Sequence, residues 1–360
     1  MTAASPVCAL SPPDRARIDR AIRAGDYLRR SPFQLGGLGG HKEWLHFCIH
    51  SHGLDLLVNF SMVDDVRPTA QRGAETGRIT ILTRDRGSWD GGVEAFEPCD
   101  ATIRGGEIHM TLGDNHVSYA EGVYRIAVRM HSQAISIDLT LRPVVMPALS
   151  NNIAMDAGTP INWLVLPRLL ADGSATLSGR AHELRNAVAY HDHNWGHFAW
   201  GRDFAWEWCY ALSVDPANIW SLVFVRLLNR ARNAVYKQGL FLWRKTEAHR
   251  IFRSHDMRTR HEGFLPSRKV FKIPRVMALV TPGTATDVPA QVEVEARGEG
   301  DRLGFRFEAE DVAQVVIPSD TDLTRVTIIN EVAGHLETEG VVRGERVSMS
   351  GPAIFEFIRA

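Results

Sequence analysis

The sequence predicts an all-β protein made of two antiparallel barrels side by side. Three observations carry this. From Lys42 onward apolar residues recur at every second position, the period of a half-buried strand. Turn residues interrupt that period at short, regular intervals, as in an antiparallel meander or barrel. The pattern then pauses at PVVMPALSNN (143–152), read as a linker, and restarts at INWLVLP (161–167). The predicted layout is a tail with a short helix in 1–40, a first barrel in 41–155 and a second in 156–360.

In chain order, DRARIDRAIRAGDYLRR (14–30) places Ile18, Ala21 and Ile22 at helical spacing, which predicts a short amphipathic helix. GGLGG (36–40) lacks the preceding strand and following helix that a phosphate loop needs. In EWLHFCIH (43–50), Leu45, Phe47 and Ile49 alternate with Trp44, His46 and Cys48. LDLLVNFSMV (54–63) puts Leu56, Val58, Phe60 and Met62 on one face, with a turn at 50–53 between the two strands. Alternation continues through GRITILTRD, ATIRGGEIHMTLGD, VSYAEGVYRIAVRMH and QAISIDLTLRPVV. After the pause it resumes through NIWSLVFVRLLN, AVYKQGLFLWRK, RVMALVTP, AQVEVEARG, LGFRFEAED and AIFEFIRA, all read as strand. The basic segment 249–269 is poorly periodic and reads as a long loop, and 311–324 reads as irregular.

Composition narrows the function classes. The hydrophobic share is 44%, the charged share 23% and the net charge −1, so nothing draws the chain in bulk toward nucleic acid or anionic membrane. The four cysteines are scattered and fit no metal spacing, which predicts reduced thiols and a cytoplasmic setting. The N-terminus lacks signal-peptide features, and no apolar run approaches the ~20 residues of a bilayer span. Peripheral membrane contact stays open as a route for substrate.

One stretch stands apart: AYHDHNWGHFAWGRDFAWEWCY (189–210). It holds four of the nine tryptophans, with His191, His193, His197, Asp192 and Glu207, so aromatic area and ionisable groups concentrate together. Read as strand, it puts Tyr190, Asp192 and Asn194 on one face and His191, His193 and Trp195 on the other. Packing alone explains most tryptophan clusters. Burying this many polar groups costs several kcal/mol unless each is paired, which favours the lining of a cleft.

The string YHDHNWG (190–196), followed closely by WGR (200–202), resembles the signature of the carotenoid 1,2-hydratase, or hydroxyneurosporene synthase-like, family. KEWLHF (42–47), INWLVLP and the closing GERVSMSGPAIFEF resemble its other landmarks, so the likeness spans most of the chain from about residue 40. The family includes fungal hydratases and cyclases, and the YHDHNWG form is closer to those branches. The resemblance implies two lipocalin-like barrels with a hydrophobic small-molecule ligand. It also implies acid chemistry on a polyene or isoprenoid, carried here by Tyr190 and Asp192. The expected catalytic set is Asp192, Tyr190, Asn194, His191 and His193. The expected substrate walls are Trp44, His46, Trp163, Trp195, Trp200, Trp206, Glu207 and Trp208.

Protonating an alkene requires a carboxyl kept neutral, which burial against aromatics favours. Tryptophan and tyrosine faces then stabilise the resulting cation by about 2 kcal/mol each when desolvated. No cofactor and no metal are expected. The metal alternative pairs His191-x-His193 with His197 or Glu207 around zinc. Two further readings are a non-catalytic carrier of a hydrophobic ligand and a pericyclic cyclase. No G-x-S-x-G elbow or dinucleotide-binding glycine fingerprint is present.

Overall fold

The computed structural model describes residues 10–29, 41–64, 77–154, 160–198, 204–213, 215, 218–266, 270–280, 287–318 and 326–359. GGLGG (36–40) and Trp200 lie outside these. The chain divides into two compact units at 199/200.

The first unit opens with the predicted helix α1 (Pro12–Gly25). Ser11 caps it, its hydroxyl accepting the Asp14 N–H at 3.3 Å, and Ile18 and Ile22 are buried. Then come β1 (His41–Ser51), β2 (Leu54–Asp64), β3 (Gly77–Asp85), β4 (Ser88–Phe96), β5 (Ala101–Ile103) and β6 (His109–Leu112). They are followed by β7 (Asn115–Ala120), β8 (Val123–Met130), β9 (Ile135–Pro143), β10 (Ala148–Ile153), β11 (Ile161–Leu177) and β12 (Arg180–His197). All pair antiparallel in the order β4-β3-β2-β1-β12-β11-β9-β8-β7-β6-β5, with β10 on β11. The sheet curls until it nearly closes: a Cβ added at Gly77 of β3 would stand 2.2 Å from Leu112 Cδ2 of β6. The alternate positions Leu45, Phe47, Val58, Phe60, Ile79 and Leu141 fill the interior. The end of α1 meets the same face, where a Cβ on Gly25 would lie 2.9 Å from Leu164 Cδ1.

The second unit holds β13 (Ala205–Leu212), β14 (Trp220–Leu228), β15 (Val235–Arg244), β16 (Glu247–Arg253) and β17 (Met257–Glu262). It continues with β18 (Phe271–Ile273), α2 (Met277–Val280), β19 (Gln291–Gly298), β20 (Asp301–Pro318), β21 (Val326–Val342) and β22 (Glu345–Arg359). Their order is β16-β15-β14-β13-β22-β21-β20-β19-β17, with β18 parallel to β20. Arg250 of the edge strand β16 reaches the Gly298 carbonyl of β19, the strand next to the opposite edge, at 3.3 Å. Phe224, Phe305, Phe307 and Phe355 pack the interior.

The all-β, two-barrel expectation matches this architecture, but five local readings change. The boundary read at 155/156 moves to 199/200, because β11 and β12 complete the first sheet rather than open the second. The linker at 143–152 contains β10, which pairs with β11. The loop read over 249–269 contains β16 and β17. These lie toward the edges of the sheet, and each buries one hydrophobic residue (Phe252 and Met257), too little to show a period. Of the segment 311–324 read as irregular, residues 311–318 continue β20 in unbroken register with β21, the bulge falls just before them between Ala309 and Asp311, and 319–324 lie outside the described residues. RVMALVTP, read as strand, carries the single turn α2.

Candidate active site on strand β12

Strand β12 presents two different chemistries, one on each face. Its outward face carries Tyr190, Asp192 and Asn194. The Tyr190 hydroxyl donates to Asp192 Oδ2 at 2.8 Å, and Asn194 Nδ2 donates to Asp192 Oδ1 at 3.0 Å. Strand pairing brings Cys48, His46 and Trp44 opposite these three residues, and Trp163 and Val165 opposite Asn194 and Asp192 on the other side. Directly paired residues share a face, so Trp44, His46 and Trp163 belong to the Asp192 face. Asp192 is only 5% exposed, so its carboxyl works in a desolvated setting. Burial, together with the charge of His191, lowers the His46 imidazole to about 3, so it is neutral at physiological pH. It lies 3.0 Å from Cys48 Sγ.

The inward face carries His191, His193 and Trp195, and it leads to groups that no motif singled out. His193 Nδ1 lies 2.9 Å from Asp26 Oδ1, and its Nε2 lies 2.6 Å from Glu43 Oε1. A carboxylate only accepts, so His193 donates from both nitrogens as an imidazolium. His191 Nε2 meets Asp26 Oδ2 at 3.1 Å, while its Nδ1 meets the His46 carbonyl at 2.9 Å. The Tyr124 hydroxyl of β8 donates to Asp26 Oδ2 at 2.5 Å. Glu43 also accepts the Arg29 backbone N–H at 2.9 Å and approaches His41 Nε2 at 3.0 Å. The Arg29 guanidinium lies over the Trp195 ring at 3.4 Å.

Their electrostatics follow from that wiring. Burial opposes charge on each group, yet the partners win. The charge of His191 and hydrogen bonds from His191 and His193 hold Asp26 well below the usual carboxylate range. Hydrogen bonds from His193 and His41 hold Glu43 at about 2. Hydrogen bonds to Asp26 and Glu43 push His193 up to about 9.

Stability therefore depends on pH with a definite sign. His193 rises from its ordinary 6.5, so its contribution is full below 6.5 and is lost as pH climbs through 9, on the order of 3 kcal/mol. Glu43 falls from 4.5, so its contribution is full above 4.5 and is lost as pH drops toward 2. His46 is depressed, so acid below 6.5 also disfavours the fold. Urea midpoints measured from pH 4 to 10 are expected to peak between about 6 and 7. A midpoint that stays level from pH 7 to 10 would contradict a charged His193.

The remaining predicted residues belong to the other face of β12 or to the second unit. Trp195 faces inward, away from Asp192. Trp206, Glu207 and Trp208 belong to β13 of the second unit. There Trp206 Nε1 donates to Glu356 Oε1, and Trp208 packs on Tyr210. Glu207 pairs with Arg226 at 3.1 Å and His261 at 3.2 Å. Of the residues in the zinc alternative, His191 and His193 point to the carboxylates of Asp26 and Glu43, and Glu207 pairs with Arg226 in the second unit. Among the described residues no three His, Cys, Asp or Glu side chains are grouped to hold a metal ion. Sequence reasoning missed Asp26, Glu43, His41, Tyr124 and Arg29. Only Glu43 left a signal, a carboxylate in phase with Leu45, Phe47 and Ile49 on the apolar face of β1.

No family model matches the chain, and no curated protein matches it in sequence. Solved structures do share its fold. A protein assigned as an AttH, from Nitrosomonas europaea, aligns with a TM-score of 0.58 at 13% identity, over 91% of this chain and 98% of its own. Kievitone hydratase from Nectria haematococca aligns at 0.55 and 13%, over 93% and 98%. CghA aligns at 0.58 and 13%, over 93% and 96%. At such identities the likeness is one of fold. The chain has the lipocalin-like two-barrel fold of these structures.

Proposed function

We propose that the chain protonates a carbon–carbon double bond of a hydrophobic isoprenoid or polyene, with Asp192 as the acid and hydration or cyclisation as the outcome. The observation that carries this reading is the hydrogen-bonded row Tyr190–Asp192–Asn194 on a buried face that also bears Trp44 and Trp163. The YHDHNWG string and a fold shared with kievitone hydratase support a place in the hydroxyneurosporene synthase-like family.

As a neutral acid, Asp192 accepts from both neighbours and still has its own O–H to give. The alkene π pair takes that proton to form a new C–H bond and leaves a cation on the other carbon. Both Tyr190 and Asn194 bind more strongly as negative charge develops on the carboxylate, so they favour the transition state over the ground state. Tryptophan faces steady the cation without trapping it. Water then adds to the cation and returns a proton to Asp192, giving hydration. Attack by a second double bond, followed by proton loss, gives cyclisation. Neither route requires a cofactor.

The test is deuterium incorporation. Incubation with farnesol, geranylgeraniol and squalene in D2O is expected to yield a hydrated or cyclised product with one deuterium on the protonated carbon. A rearranged product without deuterium would mark pericyclic chemistry, and binding without turnover would mark a carrier. Either result displaces the acid mechanism.

A further inference from the structure

We infer that the inward network Asp26–His191–His193–Glu43 positions Asp192 for reaction, so that His191 and His193 act through strand β12 and not on the substrate. This rests on the reading of Asp192 as the acid.

The geometry explains why a strand in mid-sheet needs such an anchor. On one side β12 pairs with β1 in unbroken register from His41↔His197 to His50↔Val188. On the other side its ladder with β11 slips between Leu166↔His191 and Leu169↔Ala189. The slip falls opposite Tyr190, where β11 carries Pro167, which has no N–H to donate. The register on that side is therefore interrupted at the residue that hydrogen-bonds Asp192. Residues 191 and 193 flank Asp192, and each is tied inward at both ring nitrogens to groups on other elements. Asp26 follows α1 and Glu43 belongs to β1, so the network ties a helix end and a neighbouring strand to the two residues beside the acid. A displacement of about 1 Å at a reacting group costs around a hundredfold in rate.

The charged groups facing His193 are few, and each has a place in the network. Asp26 faces it from the end of α1, Glu43 and His41 from β1, His191 from its own strand, and Tyr124 from β8 through Asp26. Arg29 joins through its backbone N–H to Glu43 and its guanidinium over Trp195. Losing the His193 proton leaves Asp26 and Glu43 facing a ring that can donate to only one of them. One tie must break, and the strand segment bearing Asp192 is released on its inner side.

The experiment uses the full chain labelled at aspartate 13Cγ and histidine 13Cε1, with Asp192 assigned by the loss of its signal in Asp192→Asn. The Asp192 Cγ signal is expected to inflect at the pH where His193 titrates. In Glu43→Gln both inflections should move together to lower pH by about one unit or more. With geranylgeraniol as the probe substrate, kcat in Glu43→Gln should fall about fivefold below that of the native protein at pH 9, where the variant's His193 has lost its proton, and much less at pH 7, with KM little changed. The alkaline limb of kcat should move with the His193 titration. A merely structural network would lower the melting temperature and leave that limb in place. His41→Gln, which removes one outer partner and keeps a donor near Glu43, gives the same readouts in milder form if Glu43→Gln does not fold. An Asp192 signal blind to the His193 titration overturns the inference whatever the activity. Turnover of all three probes without deuterium uptake overturns the acid reading instead, and the labelled spectra tell the two failures apart.

Discussion

Asp192→Asn is expected to lose about 10²–10⁴ in turnover, the usual cost of removing a positioned general acid. The substitution is nearly isosteric. The new amide oxygen can accept from the Tyr190 hydroxyl, now 2.8 Å from Asp192 Oδ2. The Asn194 amide can rotate to accept where it now donates at 3.0 Å. Shape and hydrogen bonding survive, and only the transferable proton is gone. Binding of geranylgeraniol, which depends on apolar walls such as Trp44 and Trp163, should change little. Tyr190→Phe should cost less, about ten- to a hundredfold, because it removes one hydrogen bond to a developing charge and keeps the ring. Kinetics and ligand titration on the same variants make the comparison. Normal turnover in Asp192→Asn would remove Asp192 from the chemistry, whatever its geometry.

The outward face of β12 was legible because a strand has a period of two. Alternation alone grouped Tyr190 with Asp192 and Asn194, and by the same rule set His191 and His193 on the opposite side. Nothing local reveals what those histidines touch. Asp26 lies 165 positions from His191 and 167 from His193, and it follows a helix whose visible signal is Ile18 and Ile22. Its pairing exists only once β12 lies beside β1 and the end of α1 reaches the same interior. The boundary was misplaced for a related reason. Prolines and small polar residues at 143–152 read as a linker, but the partners of β11 and β12 are β9 and β1, and strand partnership leaves no mark in composition. Trp206 and Trp208 are adjacent in sequence to the signature yet belong to β13, in a different sheet and unit from Asp192, and density along the chain does not show where one unit ends and the next begins.

Asp26→Ala is expected to be the most destabilising single substitution in the first unit, at about 3–5 kcal/mol, because removing one partner of a buried ion pair strands the other. Here it strands more than one group. His191, His193 and the Tyr124 hydroxyl all lose an acceptor, in a place where the side chains of Asp26, His191 and His193 are 0% exposed. A loss of this size lowers the melting temperature by roughly 10 °C for a domain of this length. Asp55→Ala is the comparison: it breaks a pair with His50 and Arg84 at the β1–β2 hairpin, where Asp55 is 14% exposed and not sealed off, and should cost less, about 1–3 kcal/mol. The pH dependence separates electrostatics from the small cavity the substitution also leaves. In the native protein the His193 contribution is complete below 6.5 and disappears through 9. The gap between the native protein and Asp26→Ala should therefore narrow above pH 9, where His193 no longer needs two acceptors. A cavity penalty would stay constant across that range. Urea denaturation of both proteins at pH 6.5 and pH 10 decides between them, and a gap of equal size at both pH values would mean that Asp26 serves packing and not charge.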